Sequence, residues 1–151
     1  MANEEVTFQE PMASYIRRFR NRIMDTDPLK NILNDYQLEF TDSQIAGFIE
    51  ESWYLINEAE PRTSFRLERF PKTSLLLDGA MMMMLEARGL LHLRNQLSYS
   101  DAGFSVNLDD KSGHYAQWMA QKATLFYQDL KQFKRAQVPG FVGLGSPMRF
   151  W

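Results

Sequence analysis

The chain has 151 residues without a cysteine, 44% of them hydrophobic and 24% charged, and its formal net charge is −2. This length suits one domain with a single core, and the composition excludes collagen-like repeats and a wholly disordered chain. Without cysteine, the sequence excludes a disulfide framework, a thiolate metal site and a cysteine nucleophile. The first eleven residues are acidic and the longest apolar run covers only residues 79–85, so we expect neither a signal peptide nor a contact with a membrane.

Charge is distributed unevenly along the chain. Residues 1–60 carry 12 acidic and 5 basic side chains, a net charge of −7, whereas residues 61–151 carry 7 acidic and 12 basic ones, a net charge of +5. One interpretation is that the two halves complement each other within one folded chain. The other is that the acidic half of one copy faces the basic half of the next. Bulk electrostatic binding of nucleic acid is not favoured, because it would require a basic chain overall.

The first predicted helix spans residues 12–24, where apolar side chains recur at helical spacing and form one stripe. Four basic side chains occupy most of the remaining circumference: Arg17, Arg18, Arg20 and Arg22. Three interpretations of these arginines stay open at this point. They contact solvent, the carboxylates of another subunit, or DNA.

Two further helix starts carry capping signals. Asp27-Pro28 is typical of an N-cap and a first helical residue, and it predicts a short helix that extends through Leu33. Thr41 and Gln44 have the spacing of a capping box, which predicts the start of a longer helix that Pro61 ends.

The third predicted helix begins at residue 73 or 74 and runs to about Leu97. Its centre is apolar around the whole circumference, because successive helical residues are about 100° apart and four of them are methionines. These are Met81, Met82, Met83 and Met84. A helix that is apolar on every side must be buried on every side, and a single chain of this size has few helices to surround it. We therefore assign the methionine run, together with the four arginines, to a subunit interface.

The remaining segments predict a short strand, a fourth helix and an apolar arm. Residues 104–108 alternate between apolar and polar, as a half-buried strand does, and residues 111–137 have a mostly apolar helical stripe. Residues 138–151 contain three glycines and two prolines, which prevent regular helix, but they are too apolar for a flexible linker. We expect this arm to bind a partner or a neighbouring copy, with folding back on its own core as the alternative. Its apolar side chains are Phe141, Val142, Leu144, Met148, Phe150 and Trp151.

No motif in the sequence predicts catalysis. His92 and His114 each lack a second ligand at metal-binding spacing, and no nucleophile-elbow motif is present. The glycines at 143 and 145 are not followed by a helix or a lysine that could hold phosphate. We therefore expect no enzymatic activity, no metal and no cofactor.

Several segments between residues 42 and 137 resemble the head-to-tail adaptor (connector) proteins of tailed bacteriophages. The resemblance is carried by Phe70-Pro71, residues 75–80, Arg94-Asn95, residues 99–103, Val106, Asp110-Lys111 and Tyr115. It implies a helical protomer, a homo-oligomeric ring of twelve copies, and contacts with the portal protein and with a downstream neck or tail protein. It also implies a virion location at the head-tail junction after assembly in the host cytoplasm, with DNA passing through the lumen without sequence-specific binding.

Together, these observations predict an all-α fold: a bundle of about four main helices with one short β-strand or hairpin loop and an extended C-terminal arm. Residues 1–137 form the helical domain and residues 138–151 form the arm. The predicted function is that of a virion structural protein whose ring joins the portal to the tail. The alternatives are a tail-completion protein, another neck protein, or a DNA-binding regulator that uses the arginine-rich first helix.

Overall fold

The computed structural model of the chain describes residues 7–31, 35–95, 100–101, 104–105 and 112–138, and it describes side chains for residues 7–31, 35–90 and 116–138. Four α-helices are present in this part of the chain: α1 (Met12–Ile23), α2 (Asp42–Glu58), α3 (Thr73–Asn95) and α4 (Ser112–Ala136). Among the described residues, Pro28–Lys30 form a 3-10 turn between α1 and α2, and Leu67–Arg69 form a 3-10 turn between α2 and α3. The prediction of a helical protein with four main helices is confirmed. None of the described helices is long and apolar enough to cross a membrane.

Helix α1 packs through one stripe and ends at a left-handed residue. Tyr15, Ile16 and Phe19 are buried on the stripe that the sequence predicts. Met24 has a φ of 61° at the C-cap, and its N–H donates to the carbonyl of Arg20. This geometry satisfies a carbonyl of the last turn and directs the chain away from the helix axis.

The predicted capping box of α2 is confirmed. The Thr41 hydroxyl accepts from the N–H of Gln44 at 3.2 Å, and the Gln44 side chain accepts from the N–H of Thr41 at 2.8 Å. The predicted Asp27 cap is also confirmed, because its carboxylate accepts from the N–H of Leu29 at 3.1 Å. The helical turn ends at Lys30, because Asn31 leaves the helical conformation, and residues 32–33 of the predicted short helix lie outside the described residues.

Helix α3 lies between α2 and α4 and forms the centre of the core. Leu75, Leu76 and Ala80 are completely buried on it. Met81, Met82 and Met84 are only 6–8% exposed within the single chain, and Met83 is partly buried against the same core. Intrachain packing therefore accounts for the apolar circumference of α3 without a second copy. The assignment of Met81–Met84 to a subunit interface stays a prediction.

A glycine sets the distance between α3 and its neighbours. A Cβ at Gly79 would overlap the Ser52 hydroxyl and would stand 2.8 Å from Cε2 of Phe126. Ser52 on α2 is completely buried, and its hydroxyl donates to the carbonyl of Leu76 at 2.8 Å. The absence of a side chain at Gly79 thus allows α2, α3 and α4 to approach at one level of the core.

The segment between α3 and α4 contains one antiparallel pairing, of Ser100–Asp101 with Phe104–Ser105. Each strand of this pairing has only two residues, so the predicted strand at residues 104–108 is not shown. Residues 106–108 of that strand lie outside the described residues. The side chains of His92 and His114 also lie outside them, as do residues 139–151 of the arm.

Candidate functional site

Arg20 is the centre of an ion-pair cluster that joins α1 to the start of α2. Its guanidinium contacts the carboxylate of Asp42 at 2.6 Å and that of Asp25 at 3.0 Å, and it donates to the carbonyl of Phe40 at 2.8 Å. Asp25 is 3% exposed. Its carboxylate also accepts from the Asn31 amide and from the N–H of Glu39 and Phe40. The recruitment of Asn31 to this cluster explains why the preceding helical turn is short.

The four arginines predicted for a subunit interface separate into two groups. Arg20 is in the cluster above, and Arg22 forms an ion pair with Asp78 of α3 at 2.7 Å. Both therefore bind carboxylates of their own chain. Arg17 and Arg18 are exposed and form no ion pair with any described residue. We refer to the exposed side chains of Arg17 and Arg18 on α1, together with the 72% exposed Met24 at its C-cap, as the basic face.

The outward surface of α2 has the opposite charge. Glu51 and Glu58 are exposed and seven residues apart, so they lie on the same side of the helix, with Tyr54 between them and Glu50 at the edge. Tyr54 is 57% exposed. None of the three glutamates forms an ion pair within the part of the chain that the structure describes. We refer to these four residues as the acidic face.

Ion pairs between the two halves of the chain are few among the described residues. Arg88 pairs with Glu39, and Arg62 lies 3.7 Å from Glu60 across the boundary, where both side chains are more than 80% exposed. The ion pair of Arg22 with Asp78 also joins the two halves, but here the arginine belongs to the acidic half and the aspartate to the basic half. Internal pairing therefore leaves the charges of the acidic and basic faces without ionic partners in the described chain.

Three helices hold residues 61–70, which we call the connecting segment, through its backbone carbonyls. The Tyr15 hydroxyl of α1 donates to the carbonyl of Leu67 at 3.0 Å, and the indole N–H of Trp53 donates to that of Phe65 at 2.7 Å. From α4, the Lys134 ammonium donates to the carbonyl of Pro61 at 3.0 Å. The segment is thereby fixed to α1, α2 and α4, although it contains only one 3-10 turn.

Lys134 is 1% exposed and forms no ion pair with a described carboxylate. Besides the carbonyl of Pro61, its ammonium donates to the Thr63 hydroxyl at 2.7 Å. Burial lowers the pKa of Lys134, because desolvation disfavours the charged form, and the negative charge of Glu60 partly opposes this shift. The two hydrogen bonds give this lysine a structural role at the end of α4.

A half-open groove lies where α2 faces the 3-10 turn of the connecting segment. Its volume is about 480 Å³. The residues that line it are Glu50, Trp53, Tyr54, Arg66, Leu67 and Glu68. A second depression shares Arg66 and Glu68 with this groove and is also lined by Arg69. The rings of Trp53 and Tyr54 are 4.6 Å apart and provide an aromatic wall, while charged side chains of both signs form the rim.

Sequence reasoning did not identify this groove. Residues 61–71 contain two prolines and three arginines with aromatic residues between them, a composition typical of an ordered loop, but this pattern does not show that residues 66–68 face α2. The placement depends on the bond from Trp53 to the carbonyl of Phe65, and a backbone acceptor has no sequence signature. The aromatic pair at residues 53–54, with Tyr54 outside the apolar stripe of α2, was the one available signal.

The described residues contain no group of three or more metal-ligating side chains. No protein-family model matches the chain, and comparisons with curated proteins and with solved structures found no match. The candidate functional features are therefore the two charged faces and the groove.

Proposed function

We propose that this chain is a virion structural protein of a tailed bacteriophage that forms an oligomeric ring at the head-tail junction. In this role the ring joins the portal to the tail and lets DNA pass through its lumen. The proposal is supported by the sequence resemblance to head-to-tail adaptors. The structural observation that carries it is the pair of outward faces with opposite charge and without internal ion pairs.

Ring formation needs two different complementary surfaces on one chain, because each copy contacts its two neighbours through different sides. The basic face of α1 offers Arg17 and Arg18, and the acidic face of α2 offers Glu51 and Glu58. Each face also exposes a large side chain, Met24 or Tyr54, that supplies apolar area to a contact. Charge pairing of this kind mainly sets the orientation and the rate of association, while the buried apolar area adds affinity.

The helical bundle presents these faces, and the C-terminal arm provides the attachment to the portal. Fixing the backbone of 14 residues costs on the order of 1–2 kcal/mol per residue, and burial of six large apolar side chains returns roughly 1.5–3 kcal/mol each. The two contributions are of similar size, so attachment depends on a partner surface that buries most of these side chains. Deletion of residues 138–151 should leave the helical domain folded and abolish the attachment.

The mass of the purified particle, alone and with a candidate portal protein, tests the proposal. Twelve-fold symmetry supports an adaptor under the portal, whereas six-fold symmetry supports a tail-completion or other neck protein on the tail side. A stable monomer under all conditions, with or without portal, contradicts a ring.

Charge reversal tests which faces associate. The double variant Glu51→Lys/Glu58→Lys and the double variant Arg17→Glu/Arg18→Glu should each weaken ring formation at least tenfold, and their combination should restore part of it. Glu86→Lys, an exposed reversal on α3, is the control that should leave assembly unchanged. If the two double variants and the Glu86→Lys control weakened ring formation equally, assembly would depend only on net charge, and the basic and acidic faces would not be the contact surfaces.

The alternative of a DNA-binding regulator is disfavoured by the first helix itself. Arg20 and Arg22 bind carboxylates of their own chain, so two of the four arginines are not available to phosphates. Binding to duplex DNA with an affinity that falls steeply with salt would support this alternative instead.

A further inference from the structure

We propose that the groove between α2 and the connecting segment binds the C-terminal arm of the same chain, through the part that contains Met148, Arg149, Phe150 and Trp151. The inference goes beyond the proposed function, because it concerns an intrachain contact that exists whether or not the chain forms a ring. The occupant is identified from three observations: where the described chain ends, how far the remaining residues reach, and what the groove displays.

The end of α4 lies beside the connecting segment, three residues of which line the groove. Phe133 packs against Phe65 of the connecting segment, with ring centroids 5.7 Å apart. Lys134, one residue further on, is bonded to Pro61 and Thr63 of the same segment. Arg66, Leu67 and Glu68, which follow a few residues later, line the groove. The arm therefore begins next to the segment that forms the groove.

The remaining chain is long enough to enter the groove. Residues 139–151 comprise 13 residues, which span at most about 45 Å when extended. Thr63 and Arg66 are three residues apart, which corresponds to at most about 11 Å. The arm thus reaches the groove with length to spare, even where its prolines and glycines introduce turns.

The composition of the arm fits what the groove displays. Trp53, Tyr54 and Leu67 offer an aromatic and aliphatic surface to the apolar side chains of the arm. The arm contains one charged side chain, Arg149, and no acidic one. Glu50 and Glu68 line the groove and form no ion pair with a described residue. Either carboxylate can therefore form an ion pair with Arg149 and accept hydrogen bonds from its guanidinium.

The size of the groove and the tether also favour this occupant. A volume of about 480 Å³ lies within the roughly 300–1,000 Å³ of sites that enclose small ligands, so it accommodates a few side chains and not the whole arm. Tethering to the same chain gives the end of the arm an effective concentration on the order of 1 mM at the groove. A groove that binds the free segment with a Kd of about 0.1 mM would then be about nine-tenths occupied.

Docking of the arm has a consequence for assembly, which rests on the proposed function. Tyr54 and Glu50 belong to both the groove and the acidic face, so a docked arm covers part of the surface that would contact a neighbouring copy.

Disulfide trapping in the full chain tests the contact, because the protein has no cysteine of its own. The trapping variant combines Ser146→Cys in the arm with Arg69→Cys, which adjoins the groove residue Glu68, and it should form an intrachain disulfide on mild oxidation. The matched control combines Ser146→Cys with Glu86→Cys, an exposed position on α3. We expect trapping at the groove at least ten times faster than in the control, with the mass of a single chain.

A second variant shows whether the groove itself holds the arm. Tyr54→Ala/Glu50→Lys, added to the trapping variant, should reduce the trapping rate to that of the control, while circular dichroism and the thermal midpoint report an intact fold. Equal rates in the trapping variant and the control overturn the proposal. So does a product that consists mainly of disulfide-linked pairs of chains, or trapping that is unaffected by the groove substitutions. Ring formation is measured separately, so loss of the ring with normal trapping contradicts only the proposed function.

Discussion

Gly79→Ala adds one methyl group at the point where three helices meet, and its effect can be worked out from the structure. The new Cβ would overlap the Ser52 hydroxyl and stand 2.8 Å from the Phe126 ring. Overpacking of a core costs about 1–3 kcal/mol, and displacing the Ser52 hydroxyl from the carbonyl of Leu76 costs about 0.5–1.5 kcal/mol more. The better helix propensity of alanine returns about 0.5–1 kcal/mol. Because the overlap involves two buried groups, we expect the free energy of unfolding to fall by about 2–4 kcal/mol.

Urea unfolding followed by circular dichroism measures this loss, and the chain provides a matched control. Gly47 is also in the interior of a helix, α2, but a Cβ there would meet no heavy atom within 4 Å beyond its chain neighbours and the backbone of its own helix. Gly47→Ala should therefore stabilise the protein by about 0.5–1 kcal/mol. Ser52→Ala in the Gly79→Ala background removes one of the two overlapping groups and should recover part of the loss. If Gly79→Ala were as stable as Gly47→Ala, the close packing of α2, α3 and α4 at this level would be refuted.

Two further predictions concern buried charges. Asp25→Asn should lower the free energy of unfolding by about 1.5–3 kcal/mol, because it removes one of the two carboxylates that Arg20 contacts and weakens the buried hydrogen bonds that Asp25 accepts. Denaturant unfolding measures this loss, and a value below about 1 kcal/mol would contradict the structural role of the cluster. Lys134→Met should change the pH dependence of the free energy of unfolding. Burial lowers the pKa of Lys134 in the folded state, so the unfolded state binds more protons as the pH approaches the ordinary value of 10.5, and wild-type stability should rise relative to the variant in that alkaline range. The free energy of unfolding of the wild type minus that of Lys134→Met should therefore increase from about pH 8 to pH 10. If this difference stayed constant or decreased, the assignment would be contradicted.

The helical framework could be predicted because its signals are local. The capping box of Thr41 and Gln44 requires only two residue types at a fixed spacing, and the apolar stripe of α1 requires only periodicity. The Asp27 cap was predicted for the same reason. The end of its short helix was not, because Asn31 is engaged by Asp25, six residues away, in a cluster that depends on tertiary structure.

The candidate sites could be predicted less well, because they depend on which surfaces meet. The methionine run indicated a fully buried helix, but its sequence does not specify whether the same chain or another one covers it. The same limitation applies to the arginines of α1, which look equivalent in sequence. Arg20 and Arg22 are distinguished only by the positions of Asp25, Asp42 and Asp78 in the fold. The groove depends on hydrogen bonds to main-chain carbonyls, which any residue could supply.

The way the connecting segment is held has a consequence for how this protein can change over evolutionary time. Its carbonyls at Pro61, Phe65 and Leu67 receive the bonds from Lys134, Trp53 and Tyr15. Carbonyl groups persist through almost any replacement, whereas the donors do not. Sequence drift in the exposed part of the segment should therefore be tolerated, and the surface it presents could be altered to suit a new partner while the three donors preserve the scaffold.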